Sequence, residues 1–265
     1  MRFDKKPGKV EKYIYEKLDT QGALLLSVID PLDYKSEKDA IKSAVTVGEG
    51  GADIIVIGGS TGVQGELLDN VTLGIKEKIN TPVVLFPGNI ATITRYADAM
   101  YFMSLLNARN PYWITQAQML AAPLIKYMKI EVLPIGYIVV SPGGTVGWVG
   151  DVNLIPREKP KIASALALAG EYLGDKFIIT DTGSNPSLQN YGPITEEMVH
   201  EVKSAISIPY IVGGGITNAD YLSKALKSGA DMVQIGTAFE KSTNIKNTIN
   251  MFSKIIREEG RKKIK

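Results

Sequence analysis

Two glycine-marked apolar runs lie in the last third of the chain, Ile211-Val-Gly-Gly-Gly-Ile216 and Val233-Gln-Ile-Gly-Thr237, and each leads into a helical pattern. Each reads as a β-strand whose C-terminal end opens into a glycine turn and a helix start. Glycine lets backbone N–H groups approach an anion closely, and the helix N-terminus adds partial positive charge, so the pair predicts a phosphate cradle. In a (βα)₈ barrel such a cradle sits after strands seven and eight. That placement requires six earlier strands.

Apolar runs at 23–29, 53–57, 82–86, 99–103, 132–140 and 176–180 precede the two at 208–212 and 231–235. They are nearly continuous rather than alternating, as in strands buried on both faces. Segments of helical period lie at 36–49, 65–79, 111–129, 160–173, 194–205, 218–228 and 240–258. This alternation predicts an α/β fold, a closed parallel TIM barrel. The stretch from Pro87 to Asp98 is too short for a full helix with its loops, since a whole crossover usually takes at least about 10–12 residues. The expected fold is therefore a modified (βα)₈ barrel with the helix after strand three missing or reduced. Residues 8–18 predict an extra N-terminal helix that caps the barrel floor or packs beside it.

A length of 265 residues suits one barrel, for which ~250 is typical, so 1–265 reads as a single domain. The net charge of +2 provides no strong field for nucleic acid, and the basic tail Arg261-Lys-Lys-Ile-Lys265 reads as a solvated end. No run approaches the ~20 apolar residues of a spanning helix, and the N-terminus is too polar for a signal peptide, which predicts a cytoplasmic protein. The chain has no cysteine, and its single histidine, His200, sits on a charged helical segment. Disulfides, thiolate zinc sites and thiol nucleophiles are excluded. Acid–base chemistry falls to carboxylates or hydroxyls, and any metal should be a hard, oxygen-bound one such as Mg²⁺.

Catalytic groups of such barrels lie at the C-terminal strand ends. In order these are Asp30-Pro31, Ser60 within Gly58-Gly-Ser-Thr-Gly62, Phe86-Pro-Gly-Asn89, Ser104 with Asn107, Ser141-Pro-Gly-Gly144 and Asp181-Thr-Gly-Ser-Asn185. No lysine ends a strand, which argues against a Schiff-base aldolase. Strand five runs into Ser141, which argues against isomerases with paired aspartates at strands one and five. Asp30 and Ser60, on adjacent strands, supply one carboxylate and one hydroxyl to a Mg²⁺ completed by water and substrate phosphate. The competing readings are a loop cap for Asp30 and an ordinary turn serine for Ser60. Asp181 is the candidate general base or substrate-hydroxyl partner, with a pKa raised by removal from water. The loop Ser141-Pro-Gly-Gly-Thr-Val-Gly-Trp-Val-Gly150 reads as a lid or shaped wall over the strand ends, with a flexible connector as its alternative. Tyr137 and Asn110-Pro-Tyr-Trp-Ile114 add aromatic surface suited to core, interface or ligand contacts.

The chain resembles the geranylgeranylglyceryl phosphate synthase family over nearly its whole length. The resemblance runs from Ser27-Val-Ile-Asp-Pro31 through Gly58-Gly-Ser60, Leu85-Phe-Pro-Gly-Asn89, Phe102-Met-Ser-Leu-Leu-Asn107, Asn110-Pro-Tyr-Trp-Ile114, Pro142-Gly-Gly-Thr-Val-Gly-Trp-Val-Gly-Asp151, Val212-Gly-Gly-Gly-Ile216 and Gly236-Thr237. The resemblance implies transfer of a geranylgeranyl group from its diphosphate to the 3-hydroxyl of sn-glycerol 1-phosphate. This is the first ether-bond step of archaeal membrane lipid synthesis. It implies Mg²⁺ held by Asp30 and Ser60. It also implies a glycerol phosphate site at Ile179, Thr180, Asp181, Thr182, Gly183, Ser184, Asn185, Gly214, Gly215, Gly236 and Thr237. Tyr137 is implied as a movable wall of the prenyl groove and Trp113 as a limit on its length. A homo-oligomer, a dimer or a hexamer built from dimers, is implied as well. Where the family usually has Tyr-Leu-Glu-Ala-Gly-Ser-Gly, this chain has Ile179-Thr-Asp-Thr-Gly-Ser-Asn185. Asp181 is one methylene shorter than the glutamate, and Ile179 lacks the tyrosine hydroxyl. These departures keep open a related prenyltransferase with a longer donor or different phosphorylated acceptor, and a non-catalytic phosphate-ligand barrel.

Overall fold

The computed structural model describes residues 6–264. Helix α1 (Lys9–Gln21) precedes strand β1 (Leu24–Ile29), which is followed by α2 (Glu37–Glu49), β2 (Ile54–Gly58), α3 (Gly65–Lys76) and β3 (Val83–Phe86). Strand β4 (Ala99–Leu105) comes next, then α4 (Ala117–Met128), β5 (Glu131–Val139), the short α5 (Gly144–Val149), α6 (Pro160–Leu173) and β6 (Phe177–Asp181). The chain closes with α7 (Glu196–Ala205), β7 (Tyr210–Gly213), α8 (Ala219–Lys227), β8 (Met232–Ile235), the single turn α9 (Thr237–Glu240) and α10 (Ile245–Arg261). All eight strands are parallel and close into a barrel in sequence order, β8 pairing with β1. The expected barrel is therefore present, and the connector 87–98 between β3 and β4 contains no helix.

Period-two alternation splits each strand between two cores. Inward residues such as Leu26, Val56, Ile135, Phe177 and Ile211 fill the barrel, whereas outward ones such as Leu25, Ile55, Ile178 and Val233 pack under the helices. Helix α1 lies across the floor, where Val10 and Ile14 join the inner cluster. Its N-terminus has no side-chain cap of its own. The Glu131 carboxylate supplies one, accepting from Val10 N at 2.9 Å and Glu11 N at 2.7 Å.

The floor carries a recurrent device that sequence reading did not register as a repeat. An Ala-Asp pair precedes β2, β4 and β8, and in each the aspartate accepts a backbone N–H from the start of the preceding strand. The bonds are Leu25 N to Asp53, Val83 N to Asp98 and Tyr210 N to Asp231, each 2.9 Å. Each carboxylate also has a cation, Arg257, Lys76 and Lys203 respectively. At the matching place before β6 the chain has Lys176, whose N–H donates to Pro134 O, so the device is absent there, and Asp175 one residue earlier has no carboxylate partner among the described residues.

Two helical boundaries differ from the sequence reading. The 111–129 segment starts as one π-turn, Tyr112–Gln116, before α4, because Asn110 Oδ1 accepts from Tyr112 N at 2.9 Å and Pro111 initiates the turn. The 240–258 segment is broken in two, since Asn244 caps α10 by accepting from Asn247 N.

Candidate active site

A cavity of about 420 Å³ opens at the C-terminal strand ends. One end is polar, and is built from Asp30, Ser60, Asp181, Ser184, the β7 and β8 glycine turns, and Glu240. The other end is an apolar arm that includes Phe102, Met103, Leu105, Trp113, Ala121 and Ile125. The arm uses both faces of β4. With no helix after β3, the outward residues Met100 and Phe102 also face the cavity. The missing helix thus provides the arm with its space.

Asp181 is the last residue of β6 and is 8% exposed. Its Oδ1 accepts from Gly183 N at 2.6 Å and its Oδ2 from Tyr137 OH at 3.2 Å. Burial pushes its pKa up, and those two bonds pull partly back. A Cβ on Gly214, whose φ is +82°, would lie 2.6 Å from Asp181 Oδ1 and 2.3 Å from Thr182 Oγ1. Glycine at 214 is therefore required both by the turn and by the carboxylate beneath it.

Asp30 divides its two oxygens. Oδ1 accepts from Leu32 N at 3.0 Å, capping the turn Pro31–Asp33, so the capping role holds. Oδ2 lies against Gly59, the neighbour of Ser60, and has no partner among the described residues. Burial raises the Asp30 pKa to about 6. Glu240, on α9, is raised to about 7, first by burial and then by the charges of Asp33 and Asp30. The polar end thus concentrates negative charge, and among the described residues no lysine, arginine or histidine lines the cavity.

The structure brings Asp30, Ser60, Asp181, Gly183, Ser184, Asn185, Gly214, Gly215, Gly236, Thr237, Tyr137 and Trp113 to this one cavity. Three residues of the strand-six run do not reach it. Ile179 points into the barrel below, Thr180 faces outward onto the Tyr210 hydroxyl, and Thr182 is fully buried with its hydroxyl unpartnered among the described residues. Strand alternation turns Thr180 outward, whereas Ile179 shares the inward face of Asp181 and lies two residues deeper in the barrel. Tyr137 is buried, donates to Asp181 and meets the Phe86 ring edge-to-face with centroids 5.6 Å apart. The loop after β5 walls the cavity through Thr145, Val146, Val149 and Gly150, but Trp148 is 86% exposed and points away. Sequence reasoning missed Asp33, Glu240, Gln118 and the buried pair Tyr101 OH–Gln234 Oε1 (3.0 Å), all at the cavity. Glu240 was legible in principle, four residues past Gly236.

The PcrB family pattern matches residues 20–256. The chain belongs to the PcrB family. Among the members it resembles are geranylgeranylglyceryl phosphate synthases, as the motif resemblance implied. That of Pyrococcus horikoshii is 52% identical over 238 residues, covering 90% of this chain and 91% of the relative. That of Pyrococcus furiosus is 48% identical over 259 residues, covering 98% and 96%. Two solved synthase structures agree in fold. The wild-type enzyme from Thermoplasma volcanium superposes with a TM-score of 0.88 at 37% identity, covering 93% of this chain and 97% of that one. The synthase from Thermoplasma acidophilum, solved in complex with sn-glycerol-1-phosphate, also gives 0.88, at 34% identity, covering 96% and 100%. Among the described residues no helix of this PcrB member is long and apolar enough to cross a membrane.

Proposed function

We propose that this protein transfers a geranylgeranyl group from geranylgeranyl diphosphate to the 3-hydroxyl of sn-glycerol 1-phosphate, releasing diphosphate. The observation that carries the proposal is that one cavity joins a glycine-turn anion cradle, a buried carboxylate and an apolar arm. That combination suits a phosphorylated polar acceptor and a long hydrocarbon donor held together, and PcrB relatives at 52% and 48% identity carry the corresponding name.

In the reaction the allylic C–O bond to diphosphate breaks and the bond from the acceptor oxygen to that carbon forms. The turns at Gly214-Gly215 and Gly236-Thr237 hold the acceptor phosphate through backbone N–H groups, which fixes its hydroxyl near Asp181. Asp181 takes the hydroxyl proton as the new bond forms. Its raised pKa makes it a stronger base than an exposed aspartate, and Tyr137 keeps its Oδ2 oriented. The apolar arm shields the allylic carbon from water.

Mg²⁺ fits the donor set. Two phosphorylated substrates would enter a cavity lined by Asp30, Asp33, Asp181 and Glu240 and by no cationic side chain among the described residues. Mg²⁺ is commonly bound through few protein oxygens, with water and substrate phosphate supplying the rest. Asp30 Oδ2 and Ser60 Oγ would hold it. When bound, the ion supplies stabilisation of charge on the departing diphosphate.

The chain further assembles as a homo-oligomer in this reading, supported by the exposed Trp148 and by the apolar outer stripe Met119, Leu120 and Leu124 of α4. Light scattering of the purified protein decides it. The test of the reaction is prenyl ether formation from purified protein, Mg²⁺, geranylgeranyl diphosphate and sn-glycerol 1-phosphate, with sn-glycerol 3-phosphate and EDTA controls. Stereoselective, EDTA-sensitive product is expected. Prenyl diphosphate binding without product would overturn the assignment.

A further inference from the structure

Beside the apolar arm the chain makes an uncommon local choice. Ala117 N bonds to Tyr112 O, closing a π-turn directly ahead of α4, and Trp113 lies within that turn. Such turns are rare and cluster at functional sites. Two side chains tie it to the barrel. Gln118 Nε2 donates to Met103 O at 2.5 Å and to Trp113 O at 3.1 Å, bridging β4 to the turn with a single amide. Ser104 Oγ donates to Ile114 O at 2.9 Å.

The Gln118 amide can be oriented only one way. Both of its partners are carbonyl oxygens, so its NH₂ must face them. Its Oε1 is then left buried with no donor among the described residues. An unpaired buried acceptor is costly, and an aliphatic side chain would avoid it in these apolar surroundings. What the glutamine provides instead is a fixed spacing between β4 and the main chain of Trp113. That spacing matters because, of the apolar groups that the π-turn and α4 present to the cavity, Trp113, Ala117, Ala121 and Ile125, the indole is the largest.

We propose that Gln118 is a positioning residue for donor selection: by clamping the π-turn it sets how far the apolar arm extends past Trp113, and hence which prenyl length is accepted. This rests on the prenyl transfer reading above. With Gln118→Ala the indole is free to shift, and longer chains are admitted.

The experiment compares prenyl diphosphates of fifteen, twenty and twenty-five carbons on the parent, Gln118→Ala, Trp113→Ala and the double variant, with Ser104→Ala as a second way of loosening the same turn. Donor affinity is measured in parallel by calorimetry. In Gln118→Ala the preference for twenty over twenty-five carbons should fall about tenfold in kcat/KM, with the KM for sn-glycerol 1-phosphate unchanged. In the Trp113→Ala background the Gln118 change should have no further effect, as expected if it acts through the indole. Should Gln118→Ala not fold, Ser104→Ala is expected to shift the preference in the same direction. An unaltered length preference in the folded variants, or an equal shift with and without Trp113, overturns the inference. Absence of product from the parent with every donor would instead overturn the transferase reading, and the affinity series would still decide the clamp.

Discussion

The phenol of Tyr137 donates to Oδ2 of Asp181 across 3.2 Å, joining the C-terminal part of β5 to the end of β6 inside the barrel. Parallel pairing sets Tyr137 opposite Ile179 and Val139 opposite Asp181. The phenol therefore reaches along its own face to the carboxylate one step further up the neighbouring strand. The bond lowers the Asp181 pKa against the larger effect of burial. Tyr137→Phe keeps the edge-on packing with Phe86 and removes only the donor. A hydrogen bond to a carboxylate favours its charged form, so without the phenol Asp181 should become harder to ionise. The base must be ionised to act. The acidic limb of the kcat/KM profile should consequently move to higher pH, and a pH–rate series on the two proteins measures it.

Asp181→Asn removes the proton acceptor while retaining shape. Loss of a general base costs about 10²–10⁴-fold, and that loss should fall on kcat with little change in donor affinity. Normal turnover in this variant would assign the base elsewhere.

Asp30→Asn removes the free Oδ2 charge beside Ser60 and should raise the Mg²⁺ concentration needed for half-maximal turnover. In the parent the same requirement should rise as pH falls through about 6, where Asp30 takes up a proton. Mg²⁺ titrations at several pH values read both effects. A requirement identical in parent and variant would remove Asp30 from the metal site.

Gly214→Ala places a methyl group where Thr182 Oγ1 and Asp181 Oδ1 now lie, in a turn with φ of +82°. Steady-state kinetics should show a raised KM for sn-glycerol 1-phosphate together with a lowered kcat, because cradle and base are disturbed at once. A change in neither would show that the turn relaxes without moving the carboxylate.

Asp175 provides a stability test away from the site. Its Oδ2 lies over Gly136 and Gly170 beside the Leu106 and Ile178 methyls, and burial raises its pKa to about 6. The folded state therefore favours the protonated acid. Its stabilising contribution is present below the unfolded value of about 4 and is lost as pH rises through about 6. Asp175→Asn should stabilise the protein at pH 7–8 by about 1 kcal/mol, a value reduced for the group's partial exposure. Thermal melts should show that advantage shrinking toward pH 4.

Much of this architecture was legible from pattern. Buried parallel strands leave continuous apolar runs, and glycine turns announce themselves by composition, so the eight strands and the cradle at Gly214-Gly215 and Gly236-Thr237 could be located without coordinates. The short connector 87–98 likewise disclosed the missing helix by its length. Asp30, Ser60 and Asp181 could be named as candidates because strand ends carry chemistry in such barrels, and all three line the one cavity. The outcome for Ile179, Thr180 and Thr182 shows the limit of that reasoning. A motif is continuous in sequence, but alternation turns Thr180 outward, depth in the barrel keeps Ile179 below the cavity and the turn buries Thr182, so a matching run does not place every residue at the ligand.

The sequence by itself determined the barrel, its missing helix and the carboxylates available for chemistry, because these follow from local periodicity, spacing and residue type. Only the tertiary structure decided which groups meet. The Tyr137–Asp181 bond, the Glu240 carboxylate facing Asp30 and Asp33, the Gln118 amide between Met103 and Trp113, and the Asp175 carboxylate over Gly136 and Gly170 all bring together residues from different elements. Those contacts depend on strand register, helix placement and burial, which are set by closure of the whole barrel.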